Sequence, residues 1–119
     1  MKSNKTTLTP LTPAVFYILL ALASGEKYGY EIMKQVKQDS QAHVKMGTGT
    51  LYGSLKRMLA AGLIEEAGEK SDPTNLDERR RYYRLTELGQ RAFKTELQRY
   101  SQVVSIAEKR SLLPKFSKT

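Results

Sequence analysis

Ten consecutive apolar residues, AVFYILLALA from Ala14 to Ala23, constrain this chain more than any other stretch of it. The run is too short to cross the hydrocarbon core of a bilayer, which takes about 20 helical residues. Polar sequence flanks it, and the small-residue cleavage pattern of a secretory signal is missing. Thr12 ahead of Pro13 is a favourable helix start, threonine as cap and proline at the first helical position. Gly25 is where a left-handed stop costs little. The reading is a helix from Pro13 to about Ser24, buried nearly all round, and such a helix needs cover on more than one face. One small three-helix core would struggle to supply that cover, so dimerisation is the expected remedy.

At 119 residues the chain has room for one domain. It has no cysteine, which excludes disulfides and thiolate metal sites and fits a cytoplasmic protein. Neither a cofactor nor a metal site is expected. Its net charge of +8, from 20 Lys+Arg against 12 Asp+Glu, favours an anionic partner such as nucleic acid or a membrane surface. A merely solvated basic surface is the alternative, and no membrane span is expected.

Beyond the first helix, a second is expected from about Tyr28 to Ser40 with Ile32, Met33 and Val36 inward. QAHVKMGT breaks the pattern, and a third helix runs from Thr48 or Gly49 to a glycine stop at Gly62. LIEEAGE then reads as extended, KSDPTNLDE as a turn-rich loop, and RRRYYRL (Arg79 to Leu85) as a returning strand. Thr86 caps a long last helix from Glu87 to Leu112 or Leu113. Its apolar stripe of Leu88, Phe93, Leu97, Tyr100, Val104 and Ala107 is read as a dimer contact rather than as packing within the domain. The expected fold class is mainly α with a small β-hairpin: a winged helix-turn-helix followed by a long C-terminal helix. Its parts are a basic arm (1–11), the winged domain (12–86), a dimerisation helix (87–113) and a tail (114–119).

The third helix carries the chemistry. At 100° per residue, Leu51, Leu55, Met58, Leu59 and Gly62 share the core face. The opposite face holds Gly49, Gly53 and Ala60, with Lys56 on one shoulder and Thr50 and Arg57 on the other. A helix glycine costs about 1 kcal/mol relative to alanine, and slim residues on the outward ridge suit a backbone lying deep in a DNA major groove. Lys56 and Arg57 would meet phosphates, and Thr50 a base edge or phosphate. In the alternative, Gly49 belongs to the helix start and Gly53 is a tolerated defect. Lys70, Arg79, Arg80 and Arg81 place cations where a wing meets the DNA backbone.

Four stretches, YGYEI (Tyr28 to Ile32), GTLYGSLKRM (Gly49 to Met58), AGLIE (Ala61 to Glu65) and RRRYYRLTELG (Arg79 to Gly89), occur in an order that resembles the PadR family of transcriptional regulators. The resemblance implies a dimeric repressor whose DNA affinity falls in the presence of a small molecule or stress signal. It is to the short subfamily, in which one C-terminal helix mediates dimerisation. It marks Tyr30 and Tyr52 as DNA-facing or interface-ordering, a purely structural Tyr52 being the alternative; Thr48, at the start of the third helix, is also expected in the DNA-binding set. Some short members stack flat aromatic ligands on a tryptophan of the last helix. This chain has no tryptophan, and Phe93 and Tyr100, with Phe16 and Tyr17, are the nearest substitutes. Gly53 also departs from the family, where larger residues are common.

The resulting expectation is a homodimer paired through its first and last helices (Val15, Leu19, Leu97, Tyr100, Val104, Ala107). It would set two recognition helices about 34–36 Å apart on a pseudo-palindromic double-stranded operator. Catalysis is not expected: His43, the single histidine, stands in a linker with no nucleophile or carboxylate pattern beside it. GTGT lacks the preceding strand and the lysine spacing of a phosphate loop. The competing readings are a winged-helix adaptor that docks proteins without specific DNA binding, and a protein that sequesters a small molecule.

Overall fold

A computed structural model describes residues 11–72 and 75–114, with side chains for all of these except residues 71–72 and 75–79. The arm through residue 10, residues 73–74 of the wing and residues 115–119 of the tail lie outside the described residues. The elements run α1 (Pro13–Ala23), β1 (Lys27–Tyr28), α2 (Gly29–Asp39), α3 (Thr48–Ala60), β2 (Ile64–Asp72), β3 (Asn75–Leu85) and α4 (Glu87–Lys109). The three strands form one antiparallel sheet in the order β1-β3-β2. This is a winged helix-turn-helix followed by a long helix.

Local chemistry sets most helix ends. The Thr12 hydroxyl accepts from the Val15 N–H at 3.2 Å, with Pro13 in the first turn, and Thr86 accepts from the Gly89 N–H at 3.0 Å. α3 closes at Gly62, whose φ of +79° lets the Leu63 N–H reach back to the Met58 carbonyl at 3.0 Å. α2 and α4 close the same way without glycine. Gln41 and Ser111 take the left-handed position at φ +53° and +56°, and the Ala42 and Leu112 N–H groups bond to Lys37 and Ala107 at 2.8 Å each. That turn ends α4 at Lys109, short of the expected Leu112 or Leu113.

The sheet departs from expectation in two ways. β1 has no signature in the sequence, because two residues carry no alternation; they become a strand by pairing, Lys27 with Tyr83 and Tyr28 with Tyr82. The hairpin is also longer than the turn-rich composition of its tip suggests. Pairing propagates from Ile64↔Leu85 out to Lys70↔Arg80, Ser71↔Arg79 and Asp72↔Asn75. Once the base of a hairpin is anchored on a core, each added ladder pair overrides the weak local preference of Asp and Asn for turns.

The core centres on α1. Ile18, Leu19 and Ala21 are fully buried, with Val15, Phe16 and Leu22 nearly so, and α2, α3, β3 and α4 all pack on this helix. The protomer's own four elements therefore cover most of α1 without a partner, leaving Tyr17 and Leu20 partly exposed. Val15 (6% exposed) and Leu19 (0%) belong to that core and leave no surface for a dimer contact.

Candidate nucleic-acid interface

α3 turns Leu51, Leu55 and Met58 inward, together with Ser54, a buried hydroxyl absent from the expected core face. Thr48, Gly49, Thr50, Tyr52, Lys56, Arg57 and Ala60 are exposed and Gly53 is partly so, the distribution the helical spacing requires. A Cβ built on Gly49 meets nothing within 4 Å, and one on Gly53 meets only Arg57 Nη1 at an ordinary 3.7 Å. Packing inside the protomer therefore asks for glycine at neither position, although each costs about 1 kcal/mol of helix propensity. Arg57 lies back along this ridge, its Nη2 donating to Ser54 Oγ at 3.4 Å.

Tyr52 is 47% exposed, yet its hydroxyl end packs against Gly29, the first residue of α2. A Cβ on Gly29 would collide with the Tyr52 hydroxyl and stand 2.9 Å from Cζ. The ring thus ties the recognition helix to α2 and leaves one face to solvent. Tyr30 projects from the first turn of α2, with Lys34 Nζ 5.6 Å from its ring centre.

Strand alternation divides the wing cations between two faces. On one face Arg80 stacks on the Tyr28 ring at 4.2 Å, Tyr28 and Tyr82 have ring centres 5.5 Å apart, and Lys70 sits 4.3 Å from the Tyr82 ring. Glu26 closes this row, 3.4 Å from both Lys70 and Arg84, and Arg84 also holds Glu65 at 2.7 Å. On the other face Arg81 lies 3.8 Å from both Glu66 and Glu69, beside the buried Tyr83. Burial lifts the Tyr83 hydroxyl above its ordinary pKa against the pull of Arg81. The side chain of Arg79 lies outside the described residues. Lys70, Arg80 and Arg81 are thus engaged within the protomer, and a phosphate would have to displace or share their partners. Exposed ion pairs of this kind contribute about 0–1 kcal/mol, so exchange is not prohibitive.

The four aromatics suggested as a ligand set do meet. Phe16 has ring centres 5.6 Å from Tyr17, 5.6 Å from Phe93 and 5.0 Å from Tyr100. Phe16 and Phe93 are buried, so the cluster is a packed seam between α1 and α4. Partial burial, and then the neighbouring Glu96 carboxylate to which it bonds, raise the Tyr100 hydroxyl pKa. An open cavity of about 520 Å³ lies along one flank of this seam, and Phe93 is the only member of the set to line it. Further along α4, Leu97, Tyr100 and Val104 are 41%, 44% and 46% exposed, while Ala107 is partly covered. His43 serves the α2–α3 turn, its Nδ1 3.0 Å from the Ser40 carbonyl. Among the described residues no group of His, Cys, Asp or Glu side chains is placed to hold a metal ion. No described helix is long and apolar enough to cross a membrane.

Comparison with known proteins matches residues 18–95 to the transcriptional regulator PadR-like family. A Lysinibacillus sphaericus protein known as uncharacterized protein X is 32% identical over 81 residues, which is 67% of this chain and 70% of that one. The crystal structure of a PadR family transcription regulator from Clostridium difficile superposes with a TM-score of 0.68 at 28% identity, covering 82% of this chain and 97% of its own. Bacillus subtilis PadR in complex with operator DNA gives a TM-score of 0.62 at 21% identity, over 88% of this chain and 50% of that one. At that identity the likeness is one of fold.

Proposed function

The chain belongs to the transcriptional regulator PadR-like family, a family of regulators rather than enzymes, and on that premise we propose that it binds a double-stranded, pseudo-palindromic operator as a cytoplasmic homodimer and represses transcription there. The observation that carries this reading is the outward ridge of α3, where Gly49 and Gly53 answer to no contact inside the protomer. An external surface that must come close to the helix backbone accounts for them. Thr48, Thr50, Lys56 and Arg57 flank that ridge, and the wing follows it. The fold likeness to Bacillus subtilis PadR, whose structure is a complex with operator DNA, supports the same assignment.

Dimerisation rests on α4. At 1.5 Å per residue, α1 is about 16 Å long and α4 about 35 Å, so α1 is too short to cover all of it. The face that buries Gly89, Phe93 and Glu96 continues through Leu97 and Tyr100, whose ring still meets Phe16, to Val103 and Val104, and among the described residues these four stay 41–65% exposed. A second copy of the same helix is the occupant that would set two recognition helices one DNA turn apart. Val104→Lys is expected to yield a monomer by light scattering with its helical circular dichroism unchanged. A variant that remains dimeric would place the interface elsewhere.

Release by a small molecule or stress signal would follow if a ligand at the Phe16, Tyr17, Phe93 and Tyr100 seam favoured a dimer with the wrong helix spacing. The test of the whole reading is fluorescence anisotropy with DNA from upstream of the protein's own gene against a scrambled duplex, across a salt series. A preference of about 10³-fold that weakens steeply with salt is the expected result. No binding to either duplex at low salt would overturn it in favour of a winged-helix adaptor.

A further inference from the structure

The cations of this protein do not all stand in the same electrostatic state. Lys70, Arg81 and Arg84 each have a carboxylate within 4 Å. Lys34, Lys37 and Lys45 have none among the described residues, and they converge. With Tyr30, Met33 and Met46 they line a groove of about 310 Å³ between α2 and the turn leading into α3. Spacings of three and four residues put Tyr30, Lys34 and Lys37 on one face of α2. Glu31 and Asp39 sit elsewhere on that helix, where Glu31 caps the Tyr28 N–H at 3.2 Å and Asp39 accepts from Gln35 at 2.9 Å.

The turn that carries Lys45 is firmly built. Ser40 is buried, and its hydroxyl accepts from the Val44 N–H at 2.9 Å and donates to the Val44 carbonyl at 3.2 Å. Gln41 and Ala42 are both left-handed, at φ +53° and +66°, a conformation non-glycine residues hold only where the surroundings impose it. Two residues beyond Met46, α3 begins behind Gly47, which makes no side-chain cap bond, and its first turn carries no acidic residue. The open amides of that turn therefore follow Lys45 within a few residues of the chain.

We propose that this lysine groove is a DNA-backbone clamp, in which Lys34, Lys37 and Lys45 hold phosphates flanking the major groove that α3 enters. The clamp rests on the DNA-binding reading above, and it moves the main electrostatic grip from the wing, where Lys70, Arg80, Arg81 and Arg84 are engaged within the protomer, to the α2–α3 turn. Phosphate contacts position a protein without reading sequence. The triple variant Lys34→Gln/Lys37→Gln/Lys45→Gln should therefore lose affinity equally for operator and scrambled duplex.

The experiment is anisotropy from 50 to 200 mM salt on wild type, this triple variant, and a charge-matched control, Lys94→Gln/Lys109→Gln/Arg110→Gln on α4. Each phosphate contact contributes about 0.9 to the log–log salt slope. With two protomers on the operator the triple substitution removes six contacts, so the slope should flatten by up to about 5.4 in the groove variant and not in the control. Over that range, wild-type affinity should fall by up to about 10³-fold further than the variant's. A groove variant that keeps the wild-type slope, or a control that flattens equally, would overturn the clamp while leaving DNA binding in place. Absence of binding by the wild type would instead remove the reading on which the clamp stands. Retained circular dichroism and melting temperature show that the variants are folded.

Discussion

Gly89→Ala is expected to lower the melting temperature by about 10 °C or more, the reverse of what alanine usually does in a helix. Gly89 lies in the first turn of α4, where a Cβ would overlap the Leu63 carbonyl oxygen and stand 3.0 Å from its carbon and 3.4 Å from its Cα. Both sides of that contact are backbone, so no side chain can turn aside and α4 must lift. The junction it would lift from is held by three hydrogen bonds. Thr86 N–H donates to Leu63 O at 3.1 Å, Thr86 Oγ1 donates to Gly62 O at 2.5 Å, and Gly89 N–H donates to Thr86 Oγ1 at 3.0 Å. Overpacking together with weakened bonds at this corner amounts to about 3 kcal/mol.

The control is Gly49→Ala, where the added methyl meets nothing within 4 Å; it should leave stability unchanged or raise it by up to about 1 kcal/mol. Both are read by thermal circular dichroism at equal protein concentration, since the melting point of a dimer depends on concentration. A melting point for Gly89→Ala at or above the wild-type value would mean that α4 does not approach Leu63 this closely.

The second large effect falls on binding and leaves the fold alone. Gly53→Leu should keep its folded state and dimer, because the new Cβ meets only Arg57 Nη1 at 3.7 Å and leucine favours helix by nearly 1 kcal/mol over glycine. On the operator it should lose at least about 10²-fold in affinity, roughly 2.7 kcal/mol, since a branched side chain on the ridge holds the α3 backbone away from the groove floor. Thermal melting and anisotropy on the same preparation separate the two effects. Operator affinity equal to wild type would sink the close-approach idea and return Gly53 to a tolerated helix defect.

The features legible in the sequence share one property: their causes lie within about four residues of their effects. The Thr12 and Thr86 caps and the glycine ending of α3 belong here. So does the split of α3 into a Leu51, Leu55, Met58 face and a Gly49, Gly53 ridge, because a helix wheel is local geometry. The four-motif resemblance added the family, and PadR membership stands on residues 18–95. Where local chemistry had more than one answer, the reading faltered. The left-handed endings of α2 and α4 fall on Gln41 and Ser111, which no glycine signalled.

What only the tertiary structure decided was partnership between residues far apart in the chain. Two residues, Lys27 and Tyr28, are a strand solely because β3 passes beside them. That same pairing brings Tyr28 under Arg80, so neighbouring arginines in RRRYYRL face different surroundings. The enclosure of Val15 and Leu19 by four elements of their own protomer could not be seen in an apolar run that suits a partner's cover equally well. Nothing in the sequence singles out Lys34 and Lys37; the α2–α3 turn sets Lys45 beside them along one groove. Caps and periodicity are properties of a segment, and so the sequence by itself determined the helices and the ridge of α3. Burial and charge pairing are properties of two segments meeting, and only the fold determined which faces and which cations remain open to DNA.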